Sequence, residues 1–134
     1  MTRISLQGIN PEMSPEVVRQ IALSLRPQDD ATHQELDNLF ESVAHGFGWR
    51  TAHFRPAMTG KGYRTAVSGD GRGFLDWLVL RERLVVVELK TKGDKLRPDQ
   101  KLWKAAWERI GAEVHVYWPK DWDELVRVLG ADVA

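Results

Sequence analysis

The 134 residues contain no cysteine, which excludes disulfide staples and thiolate metal ligands. Net charge is missing too: 19 Lys+Arg balance 19 Asp+Glu. Mean charge therefore gives the chain no pull on a polyanion. No apolar run reaches the roughly 20 residues that a membrane-spanning helix needs. The N-terminus, MTRISLQGINPEM, lacks the apolar centre of a signal peptide. These absences predict a soluble protein of the reducing cytoplasm. Histidine is sparse: His33, His45, His53 and His115 fall on different predicted elements, which argues against a zinc site built from histidines.

What is present suits one globular domain with a real core, at 43% hydrophobic and 28% charged residues. The charge is unevenly spread. Residues 49–104 hold 13 Lys+Arg against 6 Asp+Glu, whereas residues 1–48 hold 3 against 7 and residues 105–134 hold 3 against 6. A basic block thus lies between acidic ends, and a local basic surface is what attracts nucleic acid. Arg64, Arg72, Lys92, Lys95, Arg97, Lys101 and Lys104 are its candidate phosphate contacts. Solvated loop lysines are the plainer alternative.

Residues 14–25 (SPEVVRQIALSL) predict a short helix with Ser14 as N-cap and Pro15 at its first position. Residues 1–30 read as an N-terminal arm or accessory helix, and residues 31–134 as the main domain. Thr32 to Phe47 predicts a longer helix, with Leu36, Leu39, Phe40, Val43 and Phe47 at spacings of three and four. Trp49 to Phe54 alternates like a strand. Residues 55–73, with five glycines, predict a long loop. Asp76–Leu80 and Leu84–Lys90 form a hairpin about Arg81-Glu82-Arg83. Pro98 opens a helix with the apolar stripe Leu102, Trp103, Ala106, Trp107 and Ile110. Glu113 to Trp118 is a strand, and Asp121 with Glu124 predicts a capping box for a last helix ending at Gly130. Strand, helix, strand order predicts a parallel crossover. The fold class is α/β, with a mixed sheet of about four strands flanked by helices.

The chemistry concentrates in GFLDWLVLRERLVVVELKTKGDKLRPDQ, residues 73–100. Residues two apart on a strand share a face, so Val86, Glu88 and Lys90 point one way and Val85, Val87 and Leu89 point into a core. Two carboxylates, Asp76 and Glu88, beside a lysine suit a hard divalent cation next to a phosphodiester. Mg²⁺ takes oxygen ligands, and Mn²⁺ substitutes for it. Asp76, Glu88 and the backbone carbonyl of Leu89 are the candidate ligands. Lys90 can orient water or offset developing negative charge. Gln100, in the first turn of the next helix, can bond the water or a phosphate. A further carboxylate belongs on the first long helix: Glu35 is preferred, and Glu41 is the alternative. A solvated strand end carrying Glu-x-Lys is the bland reading of the same residues.

Four blocks together are more specific: FGWRTAHFRPA at 47–57, GDGRGFLDWLVLR at 69–81, LVVVELKTKGDKLRPDQKLW at 84–103 and GAEVHVYWPKDWDEL at 111–125. In order and spacing they resemble the virus-type replication-repair nuclease (VRR-NUC) domain of the PD-(D/E)xK nuclease superfamily, over residues 32 to about 129. That resemblance implies a restriction-endonuclease-like core. Catalysis would fall to Asp76, Glu88 and Lys90, with Gln100 in support. His53 and Arg55, in the first of these blocks beside the site, are candidate phosphate contacts, with packing or a surface role as the alternative. The resemblance also implies a metal-dependent DNA endonuclease acting on branched, flapped or four-way-junction DNA, in some members as a homodimer, in DNA repair or a phage setting. Leu75 stands where that family has proline, and His33 falls near the expected place of its helix glutamate. The competing readings are a DNA-binding module without turnover and a subunit that cuts only with a partner protein. Asp70, in the glycine-rich loop, either helps with metal or shapes a turn. For the six tryptophans, core packing is the stronger reading and base stacking the weaker.

Overall fold

Apolar periodicity sets the elements, and two satellite layers close on one sheet. The computed structural model describes residues 9–10, 12–54, 57–59, 62–64 and 69–131. In chain order the elements are α1 (Pro15–Ser24), α2 (His33–Gly46), β1 (Arg50–His53), β2 (Ala57–Thr59), β3 (Gly62–Arg64), β4 (Trp77–Leu80), β5 (Leu84–Leu89), α3 (Pro98–Arg109), β6 (Glu113–Tyr117) and α4 (Trp122–Gly130). A 3₁₀ turn, Pro119–Asp121, leads into α4.

The sheet order is β1-β4-β5-β6. The first two pairings are antiparallel and β5–β6 is parallel, so the sheet is mixed as expected. The predicted hairpin pairs Trp77 with Val87 and Leu80 with Leu84. A separate β2–β3 ribbon occupies part of the stretch expected to be loop. Glycine in that stretch hid two three-residue strands too short to show a period.

Val85, Val87 and Leu89 enter the main core with Trp77, Val79, Phe40 and Leu129. Each strand residue facing that way meets the layer of α1, α2 and α4. The separation of residues 1–30 from the core needs correcting for α1: Val18 and Ala22 are fully buried in the same cluster. The Trp122 indole N–H reaches across to the Ala22 carbonyl at 2.8 Å and ties α4 to α1. A ten-residue helix carries only two inward positions of this kind, too few for a clear stripe in the sequence.

The opposite face carries Val86 and Glu88, with α3 packed beside β6. The α3 stripe expected to be core is inward in part: Trp103, Ala106 and Trp107 are half-buried, whereas its two aliphatic ends are not. Leu102 and Ile110 are 73% and 75% exposed. Gln100, Trp103 and Trp107, at i, i+3 and i+7, share the inward face. The two tryptophans pack with Phe74, whose ring meets that of Trp103 edge-on at 4.9 Å. Asp121 holds the N-cap position of α4, as expected, but its side chain makes no capping bond and the box with Glu124 does not form. Its carboxylate accepts the Trp118 N–H at 2.9 Å and closes the 3₁₀ turn, while Glu124 pairs with Arg127. Among the described residues no helix is long and apolar enough to cross a membrane.

If α1 is part of the core, Val18→Ala should lower the stability of the whole domain by about 2 kcal/mol, from two lost carbons and an unfilled space. Denaturant unfolding followed by circular dichroism should show one transition shifted as a unit. An unmoved main transition would return α1 to the status of an appendage.

Candidate active site

The β4–β5 ladder ends at Trp77 and Val87. One residue further out, side chains take over from the backbone. The Asp76 N–H donates to Glu88 Oε1 at 3.0 Å, and the Leu89 N–H donates to Asp76 Oδ2 at 3.3 Å. Each carboxylate is thereby pinned by the opposite strand. Lys90 stays in register because its N–H donates to the carbonyl of Tyr117, the last residue of β6.

Gln100 joins this strand end to α3. Its amide N–H donates to Glu88 Oε2 at 3.1 Å, and its carbonyl accepts Lys90 Nζ at 3.0 Å and the Arg97 N–H at 2.9 Å. Lys90 Nζ also lies 3.4 Å from Glu88 Oε2. Asp76, Glu88, Lys90 and Gln100, named from the sequence, thus form one buried network. Burial raises the Glu88 pKa first and the nearby Asp76 carboxylate adds to it, against the opposing pull of Lys90. Gly73 lets α3 approach: at φ +87°, a Cβ there would meet Asp99 backbone and side-chain atoms at 2.7 Å.

The helix carboxylate is a correction. Glu35 is exposed at the third position of α2. It accepts the Thr32 N–H at 2.8 Å while the Thr32 hydroxyl accepts its own N–H, a complete capping box. Its carboxylate is engaged at the helix start and not with the other site residues. Glu41 has no contact with the site residues among the described residues. Asp37 holds the place instead. It is buried, and its Oδ1 accepts the Trp77 indole N–H at 3.1 Å. Helix spacing was the available signal, since Asp37 lies three before Phe40 and four after His33, on the inward side.

His33 is the second residue the sequence reading left without a role. Its Nε2 lies 3.0 Å from the Leu89 carbonyl and 3.6 Å from Asp76, and its Nδ1 lies 3.3 Å from Asp37. Acceptors at both nitrogens favour the imidazolium. The Asp37 hydrogen bond chiefly raises its pKa to about 9, against the opposing effect of burial. His33, Asp37 and Asp76 present ligand atoms all within 4.8 Å of one another. Once His33 gives up a proton, one imidazole and two carboxylates, beside the Leu89 carbonyl, form a donor set that fits a divalent cation. Glu88 borders this set, with its oxygens engaged by Asp76, Gln100 and Lys90.

His53, for which a phosphate contact and packing were both open, packs inward. Its ring stacks on Trp77 at 4.0 Å, and Nε2 lies 3.5 Å from Asp76 and 3.6 Å from Asp37 without a hydrogen bond. Arg55 lies outside the described residues, and Arg64 lies on β3. Arg72 and Arg97 both approach Asp99, Lys92 pairs with Asp29 and Lys104 with Glu108. Lys95 and Lys101 are exposed with no acidic partner among the described residues. Asp70 is exposed and offers its backbone carbonyl to the Trp103 indole. No family model, no curated protein and no solved structure matches the chain.

Two outcomes follow. Asp37→Ala should reduce binding of Mn²⁺, measured by titration calorimetry, at least tenfold, while Glu35→Ala should leave it unchanged and only loosen the start of α2. In metal-free buffer, the folded pKa of His33 lies above the ordinary imidazole value of 6.5. Its stabilisation is therefore full below about pH 6.5 and is lost as pH rises through about 9. Thermal melts between pH 6 and 10 should show this fall, and His33→Gln should flatten it.

Proposed function

We propose that this chain is a metal-dependent endonuclease that hydrolyses phosphodiester bonds in DNA, with a preference for branched, flapped or four-way-junction substrates. The observation that carries the reading is the junction of two sets of groups. The buried Glu88–Gln100–Lys90 network adjoins Asp76, and Asp76 belongs in turn to the His33–Asp37–Asp76 donor set. Phosphodiester hydrolysis needs both an activated water and relief of negative charge on the phosphate, and these sets are suited to one task each. The resemblance of the four sequence blocks to VRR-NUC nucleases points the same way.

In this reading His33, Asp37 and Asp76 hold the cation, with the Leu89 carbonyl beside them. When bound, a divalent ion supplies Lewis-acid polarisation of the phosphate and lowers the pKa of its water. The remaining steps belong to the chain. Lys90 is held at a fixed place by the Gln100 carbonyl and the Glu88 carboxylate. Its ammonium can donate to the attacking water or to a phosphoryl oxygen as charge develops there. Gln100 orients both neighbours through its two amide atoms. Glu88 balances the lysine charge in a buried place where an unpaired charge would cost several kcal/mol. Lys95 and Lys101 are free to meet backbone phosphates, contacts that position DNA without reading its sequence.

The test is cleavage of a labelled panel of four-way junction, 5′ flap, splayed arm, single strand and duplex, with Mg²⁺, Mn²⁺ or EDTA. Wild type should cut only with metal. Lys90→Ala and Asp76→Ala should each lose about 10²–10³-fold in rate. Both should still bind DNA by gel shift in EDTA. Wild type that binds every substrate and cuts none would refute self-sufficient hydrolysis.

A further inference from the structure

A cavity of about 320 Å³ opens at the carboxyl ends of the parallel strands β5 and β6, lined by Asp29, Lys92, Gly93, Trp118, Pro119 and Lys120. Ligand sites favour this end of such strands. The volume lies at the small end of the range for ligand pockets, which suits one flat heterocycle and not a duplex. Lys92 follows Lys90 by two residues, so their Cα atoms are at most about 7.6 Å apart. With stacked nucleotides about 3.4 Å apart along a strand, that is a reach of about two nucleotides.

We propose that this cavity receives the base of an unpaired nucleotide next to the scissile phosphate, an assignment that rests on the hydrolytic reading above for its position but not for its chemistry. Trp118 is the platform. Its indole N–H is spent on the Asp94 carbonyl at 2.9 Å, which fixes the ring by its edge and leaves its faces to offer. Its own N–H is held by Asp121 at 2.9 Å, so the backbone beneath it is fixed as well. Buried Pro119 makes the adjoining wall rigid. Lys120 is exposed at the rim and has no acidic partner among the described residues. Lys92 is engaged with Asp29 at 2.9 Å, in an exposed pair of the sort that yields readily to a competing phosphate. The Asp29 carboxylate on the lining disfavours an anion inside the cavity, so the base enters and the phosphates stay at the lysines. A paired base would first have to leave its stack, which costs a few kcal/mol. The cavity thereby selects flaps, single-stranded arms and frayed junction centres over intact duplex.

The experiment is fluorescence anisotropy in EDTA with a labelled single strand of non-self-complementary sequence and with its duplex. Absence of metal keeps cleavage out of the readout. Trp118→Ala should weaken single-strand binding about tenfold, the order expected on losing one base–aromatic stack, and leave duplex binding within twofold. Trp118→Phe should keep most of the affinity. Lys120→Glu, on an exposed position, should weaken single-strand binding several-fold and serves as the probe if Trp118→Ala melts early. The proposal is overturned if wild type does not bind the single strand, if Trp118→Ala weakens both DNAs equally, or if folded Trp118→Ala or Lys120→Glu binds the single strand like wild type. A wild-type protein that binds single strands through Trp118 yet cuts nothing upholds the cavity and sinks only the hydrolytic reading.

Discussion

Burial of the Glu88 carboxylate at the end of β5 is the constraint around which the rest of the structure is arranged. A charge taken out of water must be paired and bonded, or it neutralises. Here the Asp76 N–H, the Gln100 amide and the Lys90 ammonium all converge on it. Each comes from a different element, so the requirement reaches outward. It fixes where β4 and β5 part, and it rotates α3 until Gln100 faces the sheet. That rotation exposes Leu102 and Ile110 and leaves Trp103 and Trp107 as the helix's apolar contacts. The face of α3 thus satisfies Gln100 and the two tryptophans of the apolar stripe at once, at the expense of Leu102 and Ile110.

The same logic separates what the sequence disclosed from what it hid. The β4–β5 hairpin was legible because alternation and a three-residue turn are local signals. Asp76, Glu88, Lys90 and Gln100 were legible as a group because strand phase and the Pro98 helix start place them at one end. Asp37 was not. The strong Thr32/Glu35 capping signature drew attention to the residue that closes the helix start, whereas Asp37 takes its meaning from Trp77, forty positions away. His33 was likewise obscured, since only the fold brings the Leu89 carbonyl to its ring. Expectations about α1 failed for a related reason: two buried residues suffice when a partner helix supplies the remaining contacts.

Zero net charge turns out to be a sum of local arrangements. Several lysines and arginines of the basic block already face carboxylates: Lys92 faces Asp29, Lys104 faces Glu108, and Arg72 and Arg97 share Asp99. Exposed pairs of this kind contribute only ~0–1 kcal/mol each. They act less as structural ties than as a reserve of positive charge that a polyanion can release. Lys95, Lys101 and Lys120 need no such release. A basic surface can therefore be present in a chain whose mean charge denies it.

The parallel pairing of β5 with β6 has a consequence in time as well as space. The hairpin partner of β5 is three residues away, but its parallel partner arrives only after α3 has been made and folded back. Loop closure of that length must be met before its contacts reward it. Lys90 is anchored by the Tyr117 carbonyl, and the wall of the Trp118 cavity begins one residue later. Both therefore hang on that one long-range pairing, so a change that loosens β6 would disturb the lysine and the cavity together.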